Sequence, residues 1–114
     1  MALYMKDRYV PNSRIEVHDL IRRYPLATII SKDREELAAS HLPLILDPAR
    51  GPYGTLIGHM ARANPHYQAL SHDPNALAVF TGPSGYVSSS WYSKRDSAPT
   101  WNYAVVHCRG RVTF

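Results

Sequence analysis

Four short runs of the sequence hold most of the side chains that could do chemistry. Two of them combine histidine with proline: Ser40–Pro43 reads S-H-L-P, and Gly58–Pro65 reads G-H-M-A-R-A-N-P. The other two, Gly82–Tyr92 and Pro99–His107, are rich in aromatic and hydroxyl side chains. Indole and phenol rings beside hydroxyl groups can stack on a planar ring and hydrogen-bond its edge. These two runs therefore indicate either a site for a flat aromatic ligand or, as the simpler alternative, rings that cover the core.

Arg62 suggests a phosphate site. A helix predicted to begin at Asn64–Pro65 would point its free backbone N–H groups toward the same place as the Arg62 guanidinium, and both groups bind anions. The alternative is an ordinary surface arginine. The sequence has no glycine-rich phosphate loop, because Gly82–Gly85 is too short and carries a proline where an N–H is needed. We therefore predict that Gly82–Gly85 is a hairpin turn.

Metal and hydrolase chemistry are disfavoured. Six histidines are many for 114 residues, yet no two of them have the spacing of zinc ligands with an acidic or thiolate residue nearby. The serines at 88–90 lack the G-x-S-x-G turn that exposes a hydrolase nucleophile. The single cysteine, Cys108, excludes an intrachain disulfide. We therefore predict no metal site and interpret the serines as hydrogen-bonding loop residues.

Length and composition predict one small globular domain over residues 1–114. Of the 114 residues, 45% are apolar and 19% are charged, which leaves room for a single core. No apolar run approaches the ~20 residues that cross a bilayer, and the first residues do not resemble a secretory signal. We therefore expect a cytoplasmic protein without membrane contact.

The charge distribution leaves nucleic acid open as a partner. The formal net charge is +4, and residues 51–114 hold five Lys or Arg against two Asp or Glu. Glu16 and Asp19 lie on the first predicted helix among its arginines, so that helix is no basic stripe. The residues that could touch phosphates are Arg14, Arg22 and Arg23 on that helix, the Lys94–Arg95 pair, and Arg109 with Arg111. No helix-turn-helix pair is evident either. The sequence therefore gives no support for direct reading of bases.

The elements that must position the four runs are mainly strands. A helix is predicted from a capping box at Ser13 and Glu16 up to Pro25, and a second, short one from Asn64 to about Leu70. Strands are predicted over 26–31, 37–45, 55–60, 76–81, 86–88 and 100–114. Several short strands punctuated by glycine and proline predict an antiparallel sheet closed into a small barrel, with the helices packed outside.

Together the four runs resemble the PaiB-type FMN-binding negative transcriptional regulators. Members of that family carry H-L-P, G-H-M-A-R-A-N-P, G-P-x-x-Y-(V/I)-S-x-x-W-Y and P-T-W-N-Y-x-x-V-H in this order, and all four occur here. The resemblance covers nearly the whole chain. It implies a mainly β fold, an antiparallel Greek-key split barrel that binds FMN in clefts between the two subunits of a homodimer. It also implies repression of protease and sporulation genes in bacteria.

The resemblance and the residue chemistry together predict a cofactor site. Arg62 and the Lys94–Arg95 pair are alternative phosphate ligands. His41 and His59 are predicted to polarise ring heteroatoms, and the aromatic side chains to wall the isoalloxazine ring. The predicted cofactor-binding residues are His41, His59, Met60, Arg62, Asn64, Ser88, Trp91, Tyr92, Lys94, Thr100, Trp101, Asn102 and Tyr103. No residue is assigned a catalytic role.

Several functions stay open at this point. The leading hypothesis is a regulatory binding module. A flavin carries its own redox chemistry, so the protein needs only to bind and orient it. The others are a flavin oxidoreductase, a haem-binding barrel with His41, His59 or His107 as axial ligand, and a cofactor-free structural or DNA-binding protein. Family members are also longer than this sequence. We therefore expect a barrel completed by a partner chain, a fragment, or a shortened paralogue.

Overall fold

A computed structural model describes residues 14–93 and 98–114. Its elements are, in order, α1 (Arg14–Arg23), β1 (Leu26–Asp33), β2 (Glu36–Pro43), β3 (Ile45–Asp47), β4 (Thr55–Ile57), α2 (Pro65–His72), β5 (Asn75–Val87), a 3-10 turn (Ser89–Trp91) and β6 (Thr100–Arg111). Strands account for 48% of the described residues and helices, with the 3-10 turn, for 22%. The mainly β class predicted from the sequence is confirmed.

Four strands form one antiparallel sheet in the order β2-β1-β5-β6, and β3 pairs with β4 in a separate two-stranded sheet. β1 and β2 are joined as a hairpin. After β3, β4 and α2, the chain returns to place β5 on the other side of β1, and β6 then pairs with β5. β2 and β6 are therefore the two edge strands of the larger sheet. The proline that ends β2, Pro43, is tolerated because it lies on an edge strand.

The core lies on one face of the four-stranded sheet. Ala27, Phe80 and Val106 form one cross-strand row of β1, β5 and β6 and are buried. α1 packs on this face through Ile21, and the start of the β3–β4 hairpin packs there through Leu44. Full burial of an isoleucine or leucine side chain stabilises the folded state by about 1.5–3 kcal/mol. These contacts fold the hairpin and α1 over the sheet, in agreement with the predicted antiparallel barrel with peripheral helices.

The opposite face of the sheet stays open in the described residues. Both helices and the β3–β4 hairpin pack on the core face. On the open face, Leu26 and Leu37 are 61% and 75% exposed, and Val105 is also exposed. His41 and His107 lie on the same face, in one cross-strand row. The sheet therefore presents apolar and imidazole side chains to the outside.

The predicted hairpin turn at Gly82–Gly85 is wrong. β5 runs without a turn from Asn75 to Val87 and pairs with β6 on both sides of a register shift between Thr81 and Ser84. Pro83 lies within this irregularity, where β5 does not pair with β6. The missing N–H of proline therefore removes no hydrogen bond between the two strands. Glycine and proline therefore mark a β-bulge here, and the bulge lets β5 and β6 continue as one long pair.

Two other strand predictions need correction in their extent. The predicted strand 37–45 is divided into β2 and β3 at Leu44, whose N–H donates to Pro25 O at 2.9 Å instead of to a sheet partner. β4 ends at Ile57, earlier than the predicted residue 60. The residues that follow β4 therefore leave the sheet, which matters for the site because they carry the second histidine run.

Both predicted helices are present. α1 begins at Arg14, and its predicted cap Ser13 lies outside the described residues. α2 begins at Pro65, with Asn64 as N-cap accepting from His66 N at 3.0 Å, as predicted. It ends at His72, two residues later than predicted. Within residues 14–93 and 98–114, no helix is long and apolar enough to span a membrane.

Candidate functional site

The predicted cofactor-binding residues fall into two groups. One group lies on residues 58–64, which we call the connecting segment because it joins β4 to α2. The other lies on residues 84–92 and 100–103, which we call the arm because β5 and β6 extend there beyond the ends of β1 and β2. His41 on β2 belongs to neither group. Lys94 and its neighbour Arg95 lie outside the described residues.

The connecting segment begins in close contact with the end of β2. A Cβ on Gly58 would lie 2.5 Å from Leu44 Cδ2 and 3.1 Å from Pro43 O. A side chain at this position would therefore require the Leu44 side chain to rotate away and the backbone of β2 to shift by a few tenths of an ångström. The glycine that opens the G-H-M-A-R-A-N-P run is thereby explained as a packing requirement.

The connecting segment ends at a buried hydrogen-bond network. Asn64 Nδ2 donates to Ser40 Oγ at 3.2 Å, while Asn64 Oδ1 caps α2. Ser40 Oγ also lies 2.8 Å from His66 Nδ1, and Ser31 Oγ lies 2.7 Å from His66 Nε2. Asn64 is therefore fixed as a structural residue, and its predicted contact with a cofactor stays a prediction.

The network assigns a protonation state to His66. Because Ser40 accepts from Asn64, its own hydroxyl proton is available for His66 Nδ1, and the ring then donates its Nε2–H to Ser31. The ring is 3% exposed, and burial lowers the pKa of His66 below its ordinary value of 6.5. A neutral imidazole thus joins α2 to β1 and β2. The sequence analysis did not include this residue in the site.

The other residues of the connecting segment point to different surroundings. His59 and Met60 line a cavity on the core side of the sheet. Arg62 is exposed. His41, by contrast, lies on the open face, where its Nδ1 is 3.1 Å from Thr28 Oγ1. The structure therefore does not bring the two histidines predicted to polarise a ring together within one chain.

The arm carries a cluster of exposed aromatic rings. Tyr86 is paired with Trp101 across β5 and β6, and their ring centroids are 6.5 Å apart. The ring of Trp91 lies 6.4 Å from that of Tyr86. Both distances are within the range of aromatic pairing, yet Trp91 and Trp101 are still 69% and 57% exposed. Tyr86, which the sequence analysis left out of the predicted set, is the centre of the cluster.

The remaining arm residues shape or border the cluster. Ser88 Oγ caps the 3-10 turn by accepting from Ser90 N at 3.3 Å. Thr100 and Asn102 pair with β5 in the ladder. Tyr103 and Tyr92 are both exposed large side chains of the arm.

The two groups lie far apart in one chain. Asn64 of the connecting segment contacts Ser40, which lies in the cross-strand row of Ile29, Ala78 and Cys108. From Cys108 to Trp101, β6 advances seven residues, which is about 23 Å. Ser40 is also three strand spacings, about 14 Å, from β6 across the sheet.

A cavity of about 1000 Å³ opens on the core face, between α1, the β3–β4 hairpin and the end of β6. Its walls include the core residues Ile29 and Ala78. Arg14, Arg109 and Arg111 also line it, and no Asp or Glu side chain of the described residues does. The lining is therefore apolar inside and basic at its margin.

The arginines of α1 are partly engaged within the chain. Arg14 donates to Pro52 O at 3.1 Å and covers the Tyr53 ring at 5.3 Å. Arg23 pairs with Asp19 at 3.1 Å. These contacts leave α1 without a continuous basic stripe, in keeping with the interpretation from sequence that it does not read DNA bases.

Residues suited to metal or thiolate chemistry are not assembled in the part of the chain that the structure describes. No three His, Cys, Asp or Glu side chains converge there. Burial raises the pKa of the Cys108 thiol, which keeps the sulfur protonated and unreactive.

The fold and these side chains define a class: a mainly β, antiparallel domain with a cluster of exposed indole and phenol rings. The chain belongs to the family described as "Putative FMN-binding domain", which matches residues 3–114. The match confirms the resemblance found in the four sequence runs and supports FMN as the cofactor.

Relatives occur in bacteria and fungi. Protease synthase and sporulation protein PAI 2 of Bacillus subtilis is 31% identical over 111 residues, covering 97% of this chain and 53% of the relative. Uncharacterized protein YKL070W of Saccharomyces cerevisiae is 32% identical over 78 residues, covering 65% of this chain and 46% of the relative. Uncharacterized protein AN0679 of Emericella nidulans is 29% identical, covering 84% and 50%. The chain spans about half the length of these curated relatives.

Proposed function

We propose that this chain is an FMN-binding negative transcriptional regulator that acts as a cytoplasmic homodimer, with residues 1–114 forming one split-barrel domain. The observation that carries the proposal is the family match over residues 3–114. The Bacillus subtilis relative, whose name refers to protease synthesis and sporulation, supports a regulatory role. DNA is then the partner whose binding the flavin state controls.

The FMN site in this proposal is composite. The arm of one copy supplies Trp91 and Trp101 to cover the isoalloxazine ring, and the connecting segment of the second copy supplies Arg62 for the phosphate. The separation along the sheet between Trp101 and the row in which Asn64 contacts Ser40, about 23 Å, supports this arrangement. His59 lies on the connecting segment and would reach the ring from the same side as Arg62. Lys94 is the alternative phosphate ligand.

The open face of the sheet supports dimerisation. Its exposed leucines, Leu26 and Leu37, lie on the two strands nearest the connecting segment. They lie at opposite ends of the hairpin, and Ile30, Leu77 and Val79 lie between them on the same face. An exposed sheet face that carries this many apolar side chains is typical of an interface. A second copy that covers this face would also bury His41, which gives that histidine a place at the subunit boundary.

FMN affinity of an Arg62 variant tests the proposal. Arg62→Ala should weaken FMN binding by about 10- to 100-fold, because a charge-assisted hydrogen bond is worth about 1.5–3 kcal/mol. Riboflavin, which has the same ring without the phosphate, should bind the variant and the parent chain equally. Quenching of flavin fluorescence measures both affinities.

Arg50→Ala is the matched control, since Arg50 is also an exposed arginine outside the helices and strands. It should leave both affinities unchanged. Equal loss of FMN and riboflavin affinity in Arg62→Ala would show that Arg62 does not hold the phosphate. Absence of FMN binding by the parent chain would overturn the proposed function itself.

A further inference from the structure

The connecting segment is held to β2 at both of its ends. At its start, a Cβ on Gly58 would lie 3.1 Å from Pro43 O, the carbonyl that ends β2. At its end, Asn64 Nδ2 donates to Ser40 Oγ at 3.2 Å, on the same strand. The segment therefore leaves the end of β2, turns, and returns to a residue of that strand.

Arg62 lies in a β-turn next to the second of these contacts. The backbone N–H of Asn64 donates to Ala61 O at 3.0 Å, which closes a four-residue turn with Arg62 and Ala63 at its centre. Arg62 is exposed and makes no hydrogen bond or ion pair with another described residue. The place of the guanidinium is therefore set by the turn that carries it.

Asn64 connects this turn to the rest of the protein. Its backbone N–H closes the turn, and its Oδ1 accepts from His66 N at 3.0 Å and so caps α2. Both of these partners are close neighbours in the sequence. The bond from Asn64 Nδ2 to Ser40, 24 residues away, is of a different kind, because it ties the turn to the sheet.

Ser40 is itself fixed by a buried ring. It is 9% exposed, and its Oγ lies 2.8 Å from His66 Nδ1. Because Ser40 donates its proton to the neutral ring, its lone pairs are left to accept from Asn64. Ser31 holds the other ring nitrogen at 2.7 Å. The two serines thus share one histidine, and the bond to Asn64 is made by Ser40 and not by Ser31.

We propose that Ser40 is a positioning residue for FMN, which acts by holding the turn that carries Arg62. This role rests on the proposed function, in which Arg62 binds the phosphate. A turn that is already ordered loses little conformational freedom when the phosphate binds, whereas a loosely held turn has to be ordered at that moment. Ser40 therefore contributes to affinity for the phosphate of FMN and not for its ring, although its own side chain is buried.

The test compares two buried serines. The measured quantity is the phosphate preference, defined as the Kd of riboflavin divided by the Kd of FMN. Ser40→Ala and Ser31→Ala each leave one ring nitrogen of His66 without its serine, so both should lose stability to a similar extent. Ser40→Ala should lower the phosphate preference by about three- to tenfold. Ser31→Ala, the matched control, should leave it unchanged.

A second variant leaves the buried ring with both serines. Asn64→Ser keeps a side chain that caps helices well but is too short to reach Ser40. It should lower the phosphate preference as much as Ser40→Ala does. The double variant should lose no more than either single one, because both changes remove the same bond. Without flavin, the amide of Asn64 should exchange its hydrogen several-fold faster in Ser40→Ala than in Ser31→Ala.

Two results would overturn the positioning role. One is an equal loss of phosphate preference in Ser40→Ala and Ser31→Ala, which would assign the loss to reduced stability. The other is an unchanged preference in Asn64→Ser. Arg62→Ala separates this role from the proposed function. If Arg62→Ala keeps the phosphate preference, the phosphate site itself is wrong. If Arg62→Ala loses the preference while Ser40→Ala and Asn64→Ser keep it, the positioning role alone fails.

Discussion

At His66, one buried ring connects a helix to two strands. Burial lowers its pKa below the ordinary value of 6.5, and the contacts with Ser31 and Ser40 are satisfied by the neutral ring. In the unfolded chain this histidine takes up a proton at pH values where the folded ring does not, and protons bound by the unfolded state favour unfolding. The free energy of unfolding should therefore fall as the pH drops below 6.5, until it reaches the lowered pKa.

We predict that His66→Gln reduces this pH dependence. The variant should lose about 1–3 kcal/mol of unfolding free energy near neutral pH, because one of the two serines is left with an unsatisfied hydroxyl. The slope of unfolding free energy against pH should flatten in the range just below pH 6.5. Urea unfolding at several pH values measures both effects.

Gln68→Ala serves as the control for that experiment. Gln68 is an exposed residue of α2 without a titratable group, so its replacement should leave the slope unchanged and alter the free energy of unfolding by less than about 0.5 kcal/mol. A slope that survives in His66→Gln would assign the pH dependence to other groups.

Side-chain direction was more predictable than side-chain partners. The alternation of small apolar and bulky polar residues along β6 fits the observed strand, in which Val106 and Cys108 face the core and His107 lies on the open face. The partners of His66 were not predictable, because Ser40 and Ser31 are 26 and 35 residues away in the sequence. Only the folding of β1, β2 and α2 against one another brings these three residues together.

Among the elements, the connecting segment depends on a fixed start at Gly58. Gly58→Ala places a methyl group against Leu44 and the Pro43 carbonyl, so the segment must move away from β2. We predict a loss of about 1–3 kcal/mol in unfolding free energy, as for other insertions into packed sites. FMN affinity should also fall, since Arg62 moves with the segment. Chemical denaturation and flavin titration measure the two effects.

Gly85→Ala is the matched control for this substitution. A methyl group on Gly85 meets no atom within 4 Å, so stability should change by less than about 0.5 kcal/mol. If Gly58→Ala is tolerated as well as Gly85→Ala, the close approach to β2 does not hold the segment in place.

The elements show where sequence patterns become ambiguous. Asn64 followed by proline has one structural meaning, a helix start, and α2 begins there. Glycine and proline at 82–85 are compatible with two structures, a β-turn and a β-bulge, because both use these residues. The pairing of Tyr86 with Trp101 distinguishes them, since it needs β5 to continue past the bulge. That pairing is long-range information, which a local pattern does not contain.

At the level of the whole molecule, the strand order decides which predicted residues can share a ligand. The four runs occur in one chain and belong to one family, so the sequence placed them in a single site. In the folded chain the connecting segment contacts β2, whereas the arm is the extension of β5 and β6 beyond the ends of β1 and β2. The proposed site therefore combines the arm of one copy with the connecting segment of the other.

Mixed dimers test this arrangement. One chain carries Trp101→Ala on the arm, and the other carries Arg62→Ala on the connecting segment. In a composite site the mixed dimer has one site with both changes and one with neither. We predict that it binds one FMN with the affinity of the parent dimer and a second at least about tenfold more weakly. Differently tagged chains allow the mixed dimer to be isolated for flavin titration.

The two homodimeric variants are the reference for this experiment, because each should lose affinity at both of its sites. If arm and connecting segment of the same chain formed the site, every site of the mixed dimer would carry one change, and none would keep the parent affinity. The number of tight sites, one or none, therefore distinguishes a shared site from two independent ones. A chain that binds FMN tightly as a monomer would contradict the shared site directly, whatever the variants do.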